Sequence, residues 1–268
     1  MLSVIIITKN EEKNIERCLQ SVLWADEIIV VDDYSTDKTV ELCRQFSVTL
    51  IQKKWEGYSE QKEFAAQQAS YEWILSIDAD EEVTEELRRE ILSVLSSATA
   101  YNGYQIPRKS FFLDKWMKYG GWYPGYQLRL FKKSAFRMNH RPVHEGFETN
   151  GAVGRLRSNL NHYTYHSIHQ YLEKMNDYTS LEVMNKIEKG KRIRWYHLLL
   201  NPLSHFLRMF FSLKGYRDGF YGFLLAVYSS LYTLLVFAKS WEFQEANRAK
   251  EALPPVTSEE LQLLKNLL

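Results

Sequence analysis

Short apolar runs alternate with amphipathic segments along the first hundred residues of the chain. The apolar runs are rich in β-branched residues and predict four strands, at 2–8, 27–33, 48–53 and 72–78. Apolar residues at helical spacing predict a helix after each strand, at 10–23, 35–46, 58–70 and 84–97. Four strand–helix units in succession indicate an α/β fold with a mixed, mainly parallel sheet and helices on both faces.

The regular alternation stops after residue 100. Two more strands are predicted at 103–113 and 127–134, separated by the glycine- and aromatic-rich loop YGGWYPGY. A histidine-rich stretch follows, and the segment 160–190 ends as a long helix. We therefore divide the chain into an α/β domain at 1–160 and a helical C-terminal region at 161–268.

The C-terminal region is apolar and aromatic. Residues 219–238 are twenty uncharged residues, just long enough to cross a bilayer, but Gly, Ser, Thr and Tyr dilute them. The preceding segment 198–220 mixes basic and aromatic residues, as interfacial helices do. Lys214, Arg217 and Lys239 flank the apolar run and suit anionic lipid headgroups. We expect attachment to a membrane surface rather than a span, the alternative being core helices or the interface of a homo-oligomer.

Composition narrows the function classes. The chain has 268 residues and a net charge of +1, so no overall positive field marks it as a nucleic-acid binder. Its two cysteines, Cys18 and Cys43, have no metal-type spacing and indicate small buried hydrophobes in a reducing cytosol. The first residues lack the basic start and long apolar core of a signal peptide, so we expect a cytoplasmic protein.

Acidic residues follow three of the predicted strands, in TKNEE (8–12), VDDYSTD (31–37) and DADEE (78–82). Ligands of such sheets bind beyond the carboxyl ends of the strands, so the three clusters are expected to meet at one edge. Asp78 and Asp80 lie on the same side of an extended segment, and their hard oxygens suit Mg²⁺ or Mn²⁺. The alternative is that Asp80 and its acidic neighbours only favour the start of the next helix.

The other two clusters suit a nucleoside. Asp32 or Asp33 can accept hydrogen bonds from a ribose hydroxyl or a uracil N–H, and Glu11 is placed to meet the base or the ribose. The alternative for each is a helix N-cap. The chain has neither a phosphate-binding glycine loop nor an H-E-x-x-H zinc motif. A nucleotide must therefore be held by carboxylates, through a metal and through its sugar and base.

Three segments in this order and spacing resemble the family 2 glycosyltransferases of the GT-A fold: SVIIITKNEEKNIERCLQSV, EIIVVDDYSTDKTVELC and WILSIDADEEVTEEL. The chain is especially similar to the bacterial branch that builds lipopolysaccharide core, through GGWYPGYQLRLFKK, RPVHEGFE and LNHYTYHSIHQYLEKMNDY. The resemblance extends to about Glu242 and does not cover the last residues. Tyr34 departs from it, because many relatives have a small residue there.

The resemblance implies inverting transfer of a sugar from a nucleotide-sugar donor, which we expect to be a UDP-sugar. It implies that Thr8, Glu11 and Asp33 bind the nucleoside. It further implies that Asp80, together with Asp78, holds the metal on the diphosphate.

A sugar hydroxyl is a poor nucleophile, so a base must take its proton during attack. The family position implies Glu145 as this base, with His144 beside it to orient the carboxylate or meet the acceptor. Arg129 is our candidate cation for the departing diphosphate, and the alternative is a place on the solvent face of an edge strand. His162 or His166 is a helper or a third metal ligand, or else a structural histidine.

The leading hypothesis is a metal-dependent inverting glycosyltransferase. It would act on a lipid-linked saccharide as a peripheral protein at the cytoplasmic face of the bacterial inner membrane, and the resemblance suggests glucose transfer onto a core heptose. A sugar nucleotidyltransferase is the second hypothesis, although it usually needs a basic glycine-rich loop where this chain is acidic. The third is a non-catalytic, membrane-associated saccharide-binding module.

Overall fold

The computed structural model describes residues 1–139, 146–188 and 193–250. Two compact units divide the chain, Met1–His166 and Ser167–Leu268. The first unit contains the sheet and the second is helical.

The first unit contains twelve strands among its described residues: β1 Leu2–Thr8, β2 Glu27–Asp32, β3 Thr49–Gln52, β4 Trp73–Asp78, β5 Glu81–Val83, β6 Gly103–Phe112, β7 Lys115–Trp116, β8 Gly125–Lys132, β9 Phe136–Met138, β10 Phe147–Thr149, β11 Val153–Arg155 and β12 Leu160–Tyr165. Its helices are α1 Ile15–Gln20, α2 Thr39–Cys43, α3 Tyr58–Gln68 and α4 Glu85–Ser96. Helix α4 begins after Thr84, whose hydroxyl accepts a hydrogen bond from the Leu87 backbone N–H.

The main sheet has the strand order β3-β2-β1-β4-β8-β6-β12-β5. Strands β1 to β4 are parallel to one another, whereas β8 runs antiparallel to both β4 and β6. Strand β12 is parallel to β6, and β5 pairs with β12 in the antiparallel sense. The predicted mixed, mainly parallel sheet is confirmed.

Both faces of the parallel strands are covered by apolar side chains. Along β1, Val4 and Ile6 belong to one buried cluster with Leu19, while Ile5 belongs to another with Phe131. This alternation follows from the two-residue period of a strand. Since the faces are filled, the edge at the strand ends is where polar groups can gather.

The second unit is built from α5 Ile168–Glu188, α6 Trp195–Leu207 and α7 Phe220–Lys250. A π-helical turn, Arg208–Ser212, and a 3₁₀ turn, Gly215–Asp218, connect the last two helices. At Gly222 in α7, an added Cβ would lie 1.9 Å from the Gly215 carbonyl oxygen, so only glycine allows this close approach.

Candidate active site

The ends of three parallel strands form one edge of the sheet. Thr8 pairs with Asp32 in the register of β1 and β2, and Ile7 pairs with Asp78 in the register of β1 and β4. The three acidic clusters of the sequence therefore meet, as predicted, beyond the same carboxyl ends.

The loop after β1 carries the residues predicted to bind a nucleoside. The Thr8 hydroxyl is buried and has no hydrogen-bond partner among the residues that the structure describes. Buried polar atoms are nearly always paired, so this hydroxyl is a candidate contact for a ligand. Glu11 accepts a hydrogen bond of 2.7 Å from the Asn14 amide, and its own backbone N–H donates to the Thr39 hydroxyl over 2.8 Å.

The loop after β2 separates the roles of Asp32 and Asp33. Asp32 is fully buried and accepts hydrogen bonds from the Ser35 backbone N–H (2.9 Å), the Ser35 hydroxyl and the Gln52 amide (3.1 Å). These bonds fix the loop from within. Asp33 accepts a hydrogen bond from the Trp55 backbone N–H over 2.9 Å and forms an ion pair with Lys9.

Tyr34 follows these two carboxylates with a left-handed backbone, at φ 47°, and 57% of its surface is exposed. A left-handed conformation is uncommon for an aromatic residue. The departure from the family pattern noted in the sequence therefore falls on a solvent-facing side chain at the turn.

Asp78 lies in a buried network of charges. The Arg129 guanidinium donates to Asp78 and, over 2.7 Å, to Glu81. Glu81 also accepts a hydrogen bond from the Asp78 backbone N–H over 2.8 Å, and its side chain is completely buried. Because Arg129 is 3% exposed and β8 is an interior strand, the alternative of a solvent-facing arginine on an edge strand is wrong.

Two further cations complete the network. The Lys62 ammonium lies 3.1 Å from the Asp78 carboxylate, and Arg108 lies 3.7 Å from Glu81. Burial alone would raise the pKa of Asp78, but the charges of Arg129 and Lys62 hold that pKa well below its usual range. The network brings three cations to two carboxylates beside the strand ends.

Asp80 and His162 face each other across the same edge. The His162 Nε2 atom lies 3.5 Å from an Asp80 carboxylate oxygen, and both side chains are largely buried. The His162 Nδ1 atom lies 3.1 Å from the Thr164 hydroxyl and 3.3 Å from the Ser110 hydroxyl. A proton on Nδ1 leaves the Nε2 lone pair directed toward Asp80, which is the arrangement of a metal-binding histidine.

His166 is the last residue of the first unit. Its Nε2 atom is 2.9 Å from the Asn14 amide oxygen. Burial and the charge of Arg17 lower the pKa of His166, which favours the neutral ring. The structure thus groups Asp80 with His162 and groups His166 with Asn14.

The predicted base Glu145 and its neighbour His144 lie outside the described residues, so their places relative to the edge stay predictions. Among the residues that are described, no three His, Cys, Asp or Glu side chains converge as a ready metal site. Mg²⁺ and Mn²⁺ commonly use one or two protein ligands and complete their shell with phosphate oxygens and waters. Asp80 and His162 fit a cation of that kind, whereas the Asp78 carboxylate is already paired with two cations.

Glu81, Lys62 and Arg108 belong to the charge network, although the sequence did not single them out. Glu81 was interpreted only as part of an acidic helix start. The available signal was the alternation of Ala79, Glu81 and Val83 along one extended segment. The apolar residues on either side predict that the Glu81 carboxylate also faces inward. The partners come from elements that are distant in the sequence, Lys62 from α3 and Arg108 from β6, and leave no local pattern.

Comparison with known proteins identifies the family of this chain. The family model for glycosyl transferase family 2 matches residues 3–164. The chain is 31% identical over 248 residues to the lipopolysaccharide core biosynthesis glycosyltransferase LpsC of Rhizobium meliloti, covering 90% of this chain and 92% of that protein. An uncharacterized glycosyltransferase of Rickettsia typhi is 33% identical over 260 residues, with 92% and 89% covered.

Among solved structures, the chain is similar to residues 1–349 of TarS from S. aureus in complex with UDP-GlcNAc, with a TM-score of 0.47 and 16% identity. That similarity covers 87% of this chain and 81% of the other. The predicted family, GT-A fold and enzyme class are confirmed. The chain belongs to glycosyl transferase family 2 and is a glycosyltransferase.

Proposed function

We propose that this glycosyltransferase moves a sugar from a UDP-sugar to a lipopolysaccharide core saccharide, with inversion and with Mg²⁺ or Mn²⁺. The observation that carries the proposal is the meeting of three acidic strand ends at one edge, with Asp80 and His162 facing each other there. The similarity to LpsC over nearly the whole chain supports the acceptor class.

The nucleoside lies against the loops after β1 and β2. Thr8 offers a buried hydroxyl without a partner, and Glu11 and Asp33 offer carboxylates to the ribose and the base. Asp32 holds the second loop in shape rather than meeting the donor, because three protein donors already occupy its carboxylate.

The diphosphate lies between the charge network and the Asp80–His162 pair. A bound divalent cation supplies charge that stabilises the departing diphosphate. Asp80 and His162 hold that cation. Arg129 acts through Asp78 and Glu81, which it holds in place by ion pairs.

Glu145 is the base. It takes the proton of the acceptor hydroxyl as that oxygen attacks the anomeric carbon and the bond from this carbon to the diphosphate oxygen breaks. His144 orients the carboxylate. A single displacement of this kind inverts the anomeric centre.

The acceptor is a saccharide carried by a lipid, and glucose transfer onto a heptose is the specific reaction that we propose. Core saccharides of this class are built on a membrane-embedded anchor. The enzyme therefore works at the cytoplasmic face of the membrane, as a peripheral protein.

Two variants test the proposal separately at the metal and at the base. Asp80→Asn removes a metal ligand, so both transfer and Mn²⁺-dependent UDP binding are lost. Glu145→Gln keeps UDP binding but lowers kcat about 10²–10⁴-fold, the usual contribution of a general base. Transfer is followed as UDP release from several UDP-sugars with truncated core saccharides, and UDP binding by calorimetry.

Glu148→Gln is the matched control, because its carboxylate forms an exposed ion pair with Arg137 and lies outside the site. Its kcat and UDP affinity remain those of the parent chain. Full transfer by Glu145→Gln would remove Glu145 as base. UDP binding that ignores Mn²⁺ and survives Asp80→Asn would remove the metal site.

A further inference from the structure

Helix α6 presents large apolar side chains to solvent. Trp195, Leu199, Leu203 and Leu207 recur at every fourth position and so share one side of the helix. Trp195 is 73% exposed, and Leu199 and Leu203 are 62% and 55% exposed. Pro202 is the buried residue of this helix.

The apolar surface continues through the turns after α6 into the start of α7. The exposed side chains there are Phe211, Leu213, Tyr216, Phe220 and Phe223. We call these residues and the four on α6 the α6 face. Scattered exposed apolar residues need no explanation, but a contiguous set of this size marks an interaction surface.

The charge around the α6 face is one-sided. The exposed cations beside it are Arg194, Arg208, Lys214 and Arg217. Between Glu188 and Glu242 the single acidic residue of the sequence is Asp218, and its side chain is buried. Residues 193–241, which the structure describes, thus combine aromatic rings, leucines and cations with no exposed carboxylate, and such a surface is complementary to anionic lipid headgroups over an acyl layer.

Helix α7 is long and apolar enough to cross a membrane by length and composition alone. Its polar contacts with α5 argue against a span. Lys239 donates hydrogen bonds of 2.8–2.9 Å to Asn176, Thr179 and Ser180, and the Tyr232 hydroxyl donates to Glu182 over 2.8 Å.

A crossing α7 would either lose these bonds or carry the polar helix α5 into the hydrocarbon. Both outcomes are costly, because charged side chains in the bilayer interior are strongly disfavoured. Helix α7 therefore belongs to the folded three-helix unit.

We infer that the α6 face is a monotopic docking surface for an anionic bilayer, with α6 and the first turn of α7 lying in the interfacial plane and the rest of α7 not crossing the membrane. The inference deepens the proposed function by naming the surface that brings the enzyme to a lipid-borne acceptor. It stands on exposure and charge alone, so it is testable without donor or acceptor.

Vesicle flotation of the full chain tests it, with phosphatidylcholine vesicles that do or do not contain phosphatidylglycerol. The parent chain floats with the anionic vesicles. Leu199→Gln/Leu203→Gln lowers the partition constant roughly a hundredfold, since two leucines no longer enter the acyl boundary. The matched control is Leu172→Gln/Leu181→Gln, which changes two leucines of α5 that are 39% and 42% exposed. It partitions like the parent.

A second variant tests the electrostatic part. Arg208→Gln/Lys214→Gln/Arg217→Gln lowers partition onto anionic vesicles roughly a hundredfold and leaves the weak partition onto neutral vesicles unchanged. High salt has the same effect on the parent chain, because it screens surface charges. Circular dichroism confirms that each variant is folded.

Unchanged flotation of the folded Leu199/Leu203 variant would overturn the inference. A second result would also overturn it. The parent chain would form a discrete dimer in sedimentation and would not bind vesicles, and the Leu199/Leu203 variant would be a monomer. The α6 face would then be an interface with a second copy of the chain. UDP release by the same proteins without vesicles separates the two proposals. Flotation without UDP release supports the docking surface and counts against the transferase reaction. UDP release without flotation supports the transferase reaction and counts against the docking surface.

Discussion

The carboxyl edge of the sheet and the α6 face depart from the usual distribution of residues in opposite directions. At the edge, charged side chains are inside the fold, with Glu81 fully buried and Arg129 only 3% exposed. On α6, large apolar side chains are outside, and Trp195 is 73% exposed. Buried charge and exposed hydrocarbon both cost free energy. The edge is therefore expected to bind a charged ligand, and the α6 face an apolar surface.

The two regions also differ in what holds them in place. Charge pairs fix the edge, and each carboxylate of the network meets at least two cations or donors. Apolar packing and a few polar bonds from α5 to α7 hold the helical unit. The edge is therefore sensitive to the loss of a single partner, whereas the α6 face can be altered with little effect on folding.

The strongest test of this contrast is Arg129→Met. The change leaves Asp78 and Glu81 buried with fewer cations, and we expect the free energy of unfolding to fall by about 3–5 kcal/mol. Urea unfolding of the full chain measures it. The matched control is Arg137→Met, which breaks an exposed ion pair with Glu148 and costs less than about 1 kcal/mol. Equal losses in the two variants would contradict the view of the edge as a buried charge network.

Thr8→Val separates the needs of folding from those of the ligand. The Thr8 hydroxyl is buried without a partner, so its replacement leaves the unfolding free energy unchanged or raises it by about 1 kcal/mol. We expect UDP affinity to fall about tenfold, because a hydrogen bond to the donor is lost. Calorimetry with UDP and Mn²⁺ measures the affinity.

The contrasting variant is Thr39→Val. The Thr39 hydroxyl donates to Asp37 over 2.5 Å and accepts from the Glu11 backbone N–H, so this variant loses stability. A Thr8→Val chain that loses stability and keeps its UDP affinity would show that the hydroxyl serves the fold.

The smallest effect is expected in the helical unit. Tyr232→Phe removes one hydrogen bond to Glu182, and we expect a loss of about 1 kcal/mol in the free energy of unfolding. Tyr216→Phe, which changes a side chain that is 51% exposed, serves as control and leaves the stability unchanged. A Tyr232 variant that is as stable as this control would mean that the hydrogen bond to Glu182 adds nothing to the attachment of α7 to α5.

The parallel strands could be predicted because their signal is local. Strands β1, β2 and β4 are continuous apolar runs ending in acidic residues, and their bounds differ from the predicted ones by at most one residue. The meeting of the strand ends then followed from the geometry of parallel sheets.

The starts of the first two helices were predicted too early, whereas α3 begins at the predicted residue and α4 one residue later. Helix α1 begins at Ile15 rather than near residue 10, because the loop residues bond across to the loop after β2. Asn10 has a left-handed backbone at φ 53°, and its backbone N–H donates to the Ser35 hydroxyl. Capping residues in a sequence therefore mark a polar loop as readily as a helix start.

The charge network could not be predicted from local sequence. Arg129 lies about fifty positions beyond its two carboxylate partners, and His162 lies still farther from Asp80. Residue type alone indicated that a cation and a histidine were available. The order of β8, β6 and β12 in the sheet decided which carboxylate each of them meets.

The two buried cysteines can report on local opening of the fold around the parallel sheet. Burial raises the pKa of the Cys18 thiol, with the charge of Glu81 acting in the same direction, and burial beside Asp32 raises that of Cys43 to about 11. Alkylating reagents attack the thiolate, so neither sulfur reacts at neutral pH while the core is closed. The rate of labelling therefore measures how often the part of the fold that contains these cysteines opens. A tightly bound nucleotide should lower this rate.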